Sequence, residues 1–220
     1  MKMGSTSKLK RALLIAVDGP AASGKGTIAR ALASHYGLPH MDTGLLYRAA
    51  ALNLWRWGGD PGNEFEAVRA AQELNLDADD PELRSEPVSK IASAISAYPE
   101  VRAVLLKRQQ DFARQPVGAV LDGRDIGTVI APDADVKLYV TASPEVRAER
   151  RMHELERRGM RARYDDVLAD IHARDERDSN RDVAPLRQAP DALRLDTSAM
   201  DVEEAIAEAL RLVEDRLASA

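Results

Sequence analysis

The stretch GPAASGKGT, Gly19 to Thr27, lies between an apolar run and an amphipathic one, and it holds three glycines and a lysine. Glycine clusters cost backbone entropy, so something must require unusual torsions or a close backbone approach there. Ahead of the stretch, ALLIAV (residues 12–17) is a short unbroken apolar run, the mark of a strand buried on both faces. Behind it, TIARALASHYG places Ile28, Leu32 and Tyr36 four apart on one helix face, with Gly37 suited to a C-terminal cap. Strand, G-x-x-x-x-G-K and helix in that order form a phosphate-binding loop in its required context. Backbone N–H groups converge on phosphate oxygens, the helix N-terminus adds its dipole, and Lys25 supplies a point charge to the β- and γ-phosphates. One departure is chemical. Gly26 stands where the usual pattern has Ser or Thr, and Thr27 follows it. A magnesium ion is then held by phosphates and water more than by a protein hydroxyl, so no metal-ligating residue is assigned.

Composition sets the outer limits. The 220 residues suffice for one core or a core with inserts, and 45% hydrophobic with 30% charged residues is ordinary for a soluble globular chain. No apolar run approaches the ~20 residues that span a bilayer. The basic N-terminus MKMGSTSKLKR, residues 1–11, reads as a loose tail rather than a signal segment, because the apolar run after it is short and enters the glycine loop directly. There are no cysteines, which excludes disulfides, zinc-thiolate sites and thiol catalysis and points to a cytoplasmic setting. A net charge of −5 argues against bulk nucleic-acid binding.

Strand and helix patterns alternate along the chain. A second short strand falls in LPHM (residues 38–41), and LLYRAAALNLWRW is helical up to Gly58-Gly59, with Trp55 and Trp57 expected to pack the core or an insert. Residues 60–85 carry prolines and acids with weak periodicity and read as an irregular insert with short strands. Ser85 and Pro87 open a helix bearing Val88, Ile91 and Ile95, and Pro99 opens another. VGAVLD, VKLYVTA and LRLD are further buried-type strands, and residues 202–217 form a final amphipathic helix. Strands separated by helices imply an α/β domain with a central parallel sheet between two helical layers.

Two more segments bear on chemistry. MDTGLLYR follows the second strand, and LDGRDIGTVI leaves a third strand with Asp122, Arg124 and Asp125 in four positions. Taken alone, Asp42 or Thr43 reads as an N-cap and residues 122–125 as a charged turn. Together with GPAASGKGT, YPEVRAVLLKRQ, ERRMHEL and RDERDSNRDVAPL, they make the chain resemble the bacterial cytidylate kinases, from about Leu14 to the C-terminus. Adenylate kinases typically carry D-G-F-P-R where this chain has DGRDIG.

The resemblance implies a P-loop nucleoside monophosphate kinase over residues 12–220, with a monophosphate-binding insert near residues 60–100 and a mobile lid near residues 150–181. It implies transfer of the γ-phosphate of ATP to CMP or dCMP with Mg2+, by a cytoplasmic monomer. Gly19, Pro20, Ala21, Ala22, Ser23, Gly24, Lys25, Gly26 and Thr27 then bind ATP. Thr43, Tyr47 and Arg48 line the acceptor site, with Arg48 on the CMP phosphate. Ser93, Arg102 and Asp125 match positions that read cytosine, and Asp122 joins the acceptor side. Arg124 matches a phosphate contact, Arg174 and Asp178 lie near ribose and phosphates, and Arg181 is a second phosphate-side arginine. Lys25, Arg124, Arg174 and Arg181 are the candidate catalytic groups.

Phosphoryl transfer needs positioning and charge stabilisation more than covalent chemistry. Arginine suits it, because its planar fork engages phosphate oxygens bidentately and stays charged. Residues 147–181 hold ten arginines and no lysine. Most of these read as solvated helix faces with i,i+4 ion pairs. Arg150 and Arg151 sit at the lid hinge within reach of a γ-phosphate, and His153 and His172 read as surface residues.

Overall fold

The computed structural model describes residues 12–219, so the tail expected at residues 1–11 lies outside the described chain. Five strands form one parallel sheet: β1 (Leu14–Asp18), β2 (His40–Asp42), β3 (Ala119–Gly123), β4 (Val136–Thr141) and β5 (Leu193–Asp196). Their order across the sheet is β2-β3-β1-β4-β5. The alternation within β1 shows why it is central. Ile15 and Val17 face one side with Val136, Leu138 and Val140, and there they meet α1 (Lys25–Tyr36) and α8 (Val202–Ala218). Leu14 and Ala16 face the other side, where α5 (Pro99–Ala113) and a π turn (Ile126–Ile130) cover them. With both faces buried, the strands read as continuous apolar runs. The three-layer α/β arrangement expected from the sequence is present.

β1 has β3 on one side and β4 on the other, so the sheet order reverses at its C-terminal end. A crevice opens at such a switch point, and ligands bind there in open α/β sheets. GPAASGKGT leaves β1 at that crevice.

A second apolar core joins α2 (Thr43–Arg56), α3 (Glu64–Gln72), α4 (Glu86–Ile95) and part of α5. The insert expected to be irregular with short strands is instead helical. It consists of α3 and a 3-10 turn (Pro81–Arg84), with no strand among its described residues. The Asn63 side chain caps α3 by accepting from the Phe65 and Glu66 N–H groups. The buried face of α3 is made of Ala67, Ala70 and Ala71. Trp55 and Trp57 also depart from expectation, being 50% and 47% exposed. Leu54 takes the buried position at that turn of α2, while the Arg69 guanidinium lies 5.2 Å from the Trp57 ring centre. A third apolar group packs α6 (Pro144–Arg157) and α7 (Tyr164–Asn180) onto Ala21 of the glycine loop through Ala148, Val167 and Ile171.

Candidate active site

The glycine loop shows what its spacing is for. A Cβ added at Gly19 would lie 2.0 Å from the Val140 carbonyl oxygen, so only glycine lets the loop leave β1 past β4. Gly24 holds φ at +88° as the N-cap of α1, and no acid in the first turn competes for the positive end of that helix. Gly26 leaves room beside a carboxylate, for a Cβ there would stop 3.8 Å from Asp122 Oδ1. The Ser23 hydroxyl is buried with no hydrogen-bond partner among the described residues.

Lys25 is half-buried, and its ammonium donates to the Pro20 carbonyl at a long 3.4 Å. Desolvation by burial, reinforced by the Arg124 charge and opposed by Asp122 and Asp42, pulls its pKa down to about 7. This has a measurable sign. Below pH 7 the ammonium is already charged; between about 7 and the unfolded value of 10.5 the folded chain holds fewer protons than the unfolded one. Stability therefore rises with pH across that window. An arriving phosphate favours the charged form, so ADP binding at pH 8.5, where the nucleotide itself is fully ionised, takes up a proton. Calorimetry in buffers of different ionisation enthalpy detects the uptake, and Lys25→Met abolishes it. Equal binding heats in all buffers for the wild type contradict this role.

Opposite the loop, every candidate acceptor-side residue lines the same cleft: Thr43, Tyr47 and Arg48 from α2, Ser93 from α4, Arg102 from α5, Asp122 at the end of β3, Arg124 and Asp125 just after it, and Arg174, Asp178 and Arg181 from α7 and its end. Of the loop itself, Ala21, Ala22, Lys25 and Gly26 line it, while Gly19, Pro20, Ser23, Gly24 and Thr27 stand behind. Ten basic and seven acidic side chains face the cleft, although the whole chain carries −5. Positive charge is concentrated here.

Neighbouring contacts set each group. The Thr43 hydroxyl donates to the Asp122 carbonyl at 2.8 Å, which ties the start of α2 to β3. His40 Nε2 lies 2.8 Å from Asp122 Oδ2. Arg48 donates to the Ser89 hydroxyl at 2.5 Å. Arg102 donates to Asp125 Oδ2 at 2.5 Å, with both side chains buried, and its guanidinium lies 5.6 Å from the Tyr47 ring centre. The other oxygen of Asp125 lies 3.7 Å from Arg181 Nη2. Arg124 donates to Asp178 Oδ2 at 2.7 Å. The Asp178 carboxyl is driven up by burial, but Arg124 and Arg174 outweigh this and hold it below the usual carboxylate range. Arg174 has no such partner. Burial and the neighbouring Arg124 charge lower it to about 10, against the pull of Asp178.

Among the described residues Arg174 Nε is buried with no hydrogen-bond partner, and Arg181 Nη2 is buried with no hydrogen bond, only the 3.7 Å approach of Asp125. Buried polar groups are nearly always paired, so unpaired ones converging on one cleft mark where a polar ligand completes the set. Arg150 donates to Thr197 Oγ1 at 2.9 Å and to the Thr197 carbonyl at 2.7 Å, and its Nη1 lies 4.0 Å from where a Cβ on Gly24 of the phosphate loop would sit. Arg151 lines the cleft and is engaged by Glu86 and Glu154. His153 and His172 are exposed, as expected.

Two features escaped the sequence reading. Arg177 lines the cleft and donates to the Ser93 hydroxyl at 3.2 Å. The signal was available, since Arg174, Arg177 and Arg181 fall at i, i+3 and i+7 on one helix face. The other is Asp18, buried at the end of β1, which accepts from the Ile126 and Gly127 N–H groups at 2.8 and 2.7 Å. Burial raises its pKa to about 7 against those two bonds. It pins the turn that carries Arg124 and Asp125, and nothing in its local sequence marks that.

Known proteins agree with the geometry. A family model described as cytidylate kinase matches residues 15–215. A cytidylate kinase from Xanthobacter autotrophicus is 58% identical, covering 94% of this chain and 99% of its own. Another from Rhodopseudomonas palustris strain TIE-1 is 54% identical, covering 92% of this chain and 96% of its own. Among solved structures, a gluconokinase from Sinorhizobium meliloti shares the fold with a TM-score of 0.51 at 16% identity, over 96% of this chain and 98% of its own. An uncharacterized protein from Eubacterium ventriosum does so with a TM-score of 0.56 at 14% identity, over 92% and 98%. With residues 15–215 inside that family model and its cleft assembled from the matching motifs, the chain belongs to the cytidylate kinase family.

Proposed function

We propose that the chain transfers the γ-phosphate of ATP to CMP or dCMP, giving ADP and CDP or dCDP. One observation carries the reading: a phosphate loop and a second set of arginines, some with unpaired buried N–H groups, face each other across one cleft of concentrated positive charge. A protein that only bound a nucleotide would not need the second set.

The donor phosphates lie in the Gly19–Thr27 loop, where backbone N–H groups and Lys25 meet the β- and γ-oxygens. The acceptor phosphate is held by Arg48 and Arg124, while Arg174 and Arg181 neutralise the charge that spreads over the moving group. Asp125, Arg102 and Ser93 receive the base, and Asp178 orients Arg124 toward the phosphates while facing the sugar. The residues fit Mg2+ bound to phosphate oxygens and water, since the Asp122 carboxylate stands 3.8 Å from the Cβ position of Gly26 at the phosphate loop. The ion supplies charge neutralisation at the transferred phosphate. Among the described residues no helix is long and apolar enough to cross a membrane.

A site that holds ATP must keep water from serving as acceptor until the monophosphate arrives. ADP release without a monophosphate is therefore expected at no more than about a hundredth of the rate with CMP, a difference of ~2.7 kcal/mol in barrier. A coupled assay with CMP, dCMP, UMP, AMP and no acceptor measures this. Equal ATP turnover with and without CMP favours a nucleotide-dependent switch and removes the kinase reading.

A further inference from the structure

One charged pair, its arginine buried and its aspartate half-buried, joins the two sides of the cleft without lining it. Arg147, in the first turn of α6, is 3% exposed. Its Nε donates to the Ala142 carbonyl at 2.9 Å, just after β4, and its Nη1 donates to the Ala21 carbonyl of the phosphate loop at 3.3 Å. The same guanidinium engages Asp175 of α7 bidentately, at 2.9 Å to Oδ1 and 2.5 Å to Oδ2. One planar group thus touches the sheet edge, the donor loop and the helix that carries the acceptor-side arginines.

We propose that Arg147 and Asp175 are positioning residues that keep the arginine face of α7 in register with the phosphate loop; this rests on the phosphoryl-transfer reading above. Asp175 follows Arg174 directly and precedes Asp178, the partner of Arg124, by three residues. A shift of α7 at Asp175 therefore moves Arg174 and the Asp178–Arg124 pair together, relative to Lys25. The carbonyl that Arg147 holds belongs to Ala21, next to Ala22, which sits at φ +58° in the left-handed region. A fixed donor on that carbonyl favours this loop conformation. Buried ion pairs are poor sources of net stability, because desolvation offsets their attraction. Their planar, directional bonds fix geometry well. Phosphoryl transfer depends on geometry above all, since misplacement of about an ångström costs orders of magnitude. The pair also sets a limit on any lid. Motion of residues 150–181 as one body breaks the bidentate bond, whereas a lid that leaves Asp175 in place keeps it.

The test uses Asp175→Asn, which keeps shape and one acceptor at a half-buried position, and Arg147→Lys, which keeps charge without the fork. With ATP and CMP, each variant is expected to lose about ten-fold or more in kcat while the KM for CMP changes less than about three-fold, the signature of an interaction needed in the transition state. Asp175→Asn leaves the buried Arg147 charge without its counter-ion and lowers the thermal midpoint, so kinetics are measured well below the midpoint of the variant. The double variant is expected within about two-fold of the worse single variant, because both remove one coupling. If Arg147→Lys does not fold, Asp175→Asn alone decides. Wild-type kcat in Asp175→Asn, a loss confined to KM, or losses that multiply in the double variant each overturn the proposal. Failure of the wild type to phosphorylate CMP would refute the reaction itself, which is a separate outcome.

Discussion

Replacing Lys25 with methionine lowers kcat/KM at least a hundred-fold, about 2.7 kcal/mol of transition-state stabilisation, and leaves the fold intact. Methionine matches the length and helix propensity of lysine, so α1 still starts at Gly24. What disappears is the positive charge. In the protein itself that ammonium makes only a 3.4 Å contact to the Pro20 carbonyl, so little native bonding is lost. Its desolvation, visible in the fall of its pKa to about 7, opposes the folded charged state. Removing it therefore holds or raises the thermal midpoint, and it abolishes the gain in stability between pH 7 and 10.5. Steady-state kinetics with a melting curve check both halves. A variant that keeps more than about a tenth of wild-type activity, within ~1.4 kcal/mol, removes Lys25 from the chemistry.

The second large effect is on base choice. Cytosine presents an amine donor at its 4-position and uracil a carbonyl acceptor, so a carboxylate aimed there prefers CMP. Asp125 is buried with one oxygen bound by Arg102 and the other 3.7 Å from Arg181, and its remaining lone pairs can accept. Each unmatched buried polar group costs about 1–3 kcal/mol, so CMP and dCMP are expected well ahead of UMP. AMP and GMP are expected to be nearly inactive, a purine being too large. Asp125→Ala should erode the CMP/UMP ratio of kcat/KM by about ten-fold or more, the lower part of that range. It also strips Arg102 of its buried partner, a loss of about 3–5 kcal/mol of stability. Asp125→Asn avoids the empty space and turns one acceptor into an amide donor, which suits uracil; its ratio should move the same way. A folded variant as selective as wild type would remove Asp125 from base reading, and a wild type that prefers UMP sinks the cytidylate reading.

How much of this was legible depends on how local each feature is. The phosphate loop was readable because its requirements are backbone requirements. Gly19 must clear the Val140 carbonyl and Gly24 must hold φ at +88°, and both demands select glycine at fixed spacing. The inner strands β1, β3 and β4 were readable because burial on both faces writes a largely apolar run, while the edge strands β2 and β5 are short and partly exposed. α3 was not, because it is nine residues long and lies between the Pro61-Gly62 break and the acidic, proline-bearing stretch at 77–82, so the whole segment reads as loop. Trp55 and Trp57 misled for a different reason. They are large and apolar, but the helix turns its smaller residues inward there.

The arginines show the remaining division. Residue type and spacing determined that α7 carries a row of guanidinium groups and that arginine chemistry suits a phosphate cleft. They did not distinguish Arg174, whose Nε is buried and unpaired, from Arg147, whose fork is fully engaged by Asp175 and two carbonyls. Both read as charged positions on amphipathic helices. Which one is free for a ligand depends on partners over a hundred residues away, such as Ala21 for Arg147. The same holds for Asp18, whose two acceptors meet N–H groups more than a hundred residues along the chain. By itself the sequence determined the loop, the strand order of appearance and the family, since those follow from local sterics and burial patterns. Only the tertiary structure decided which charges are paired and which stand ready in the cleft, because pairing is a property of distance in space rather than of residue type.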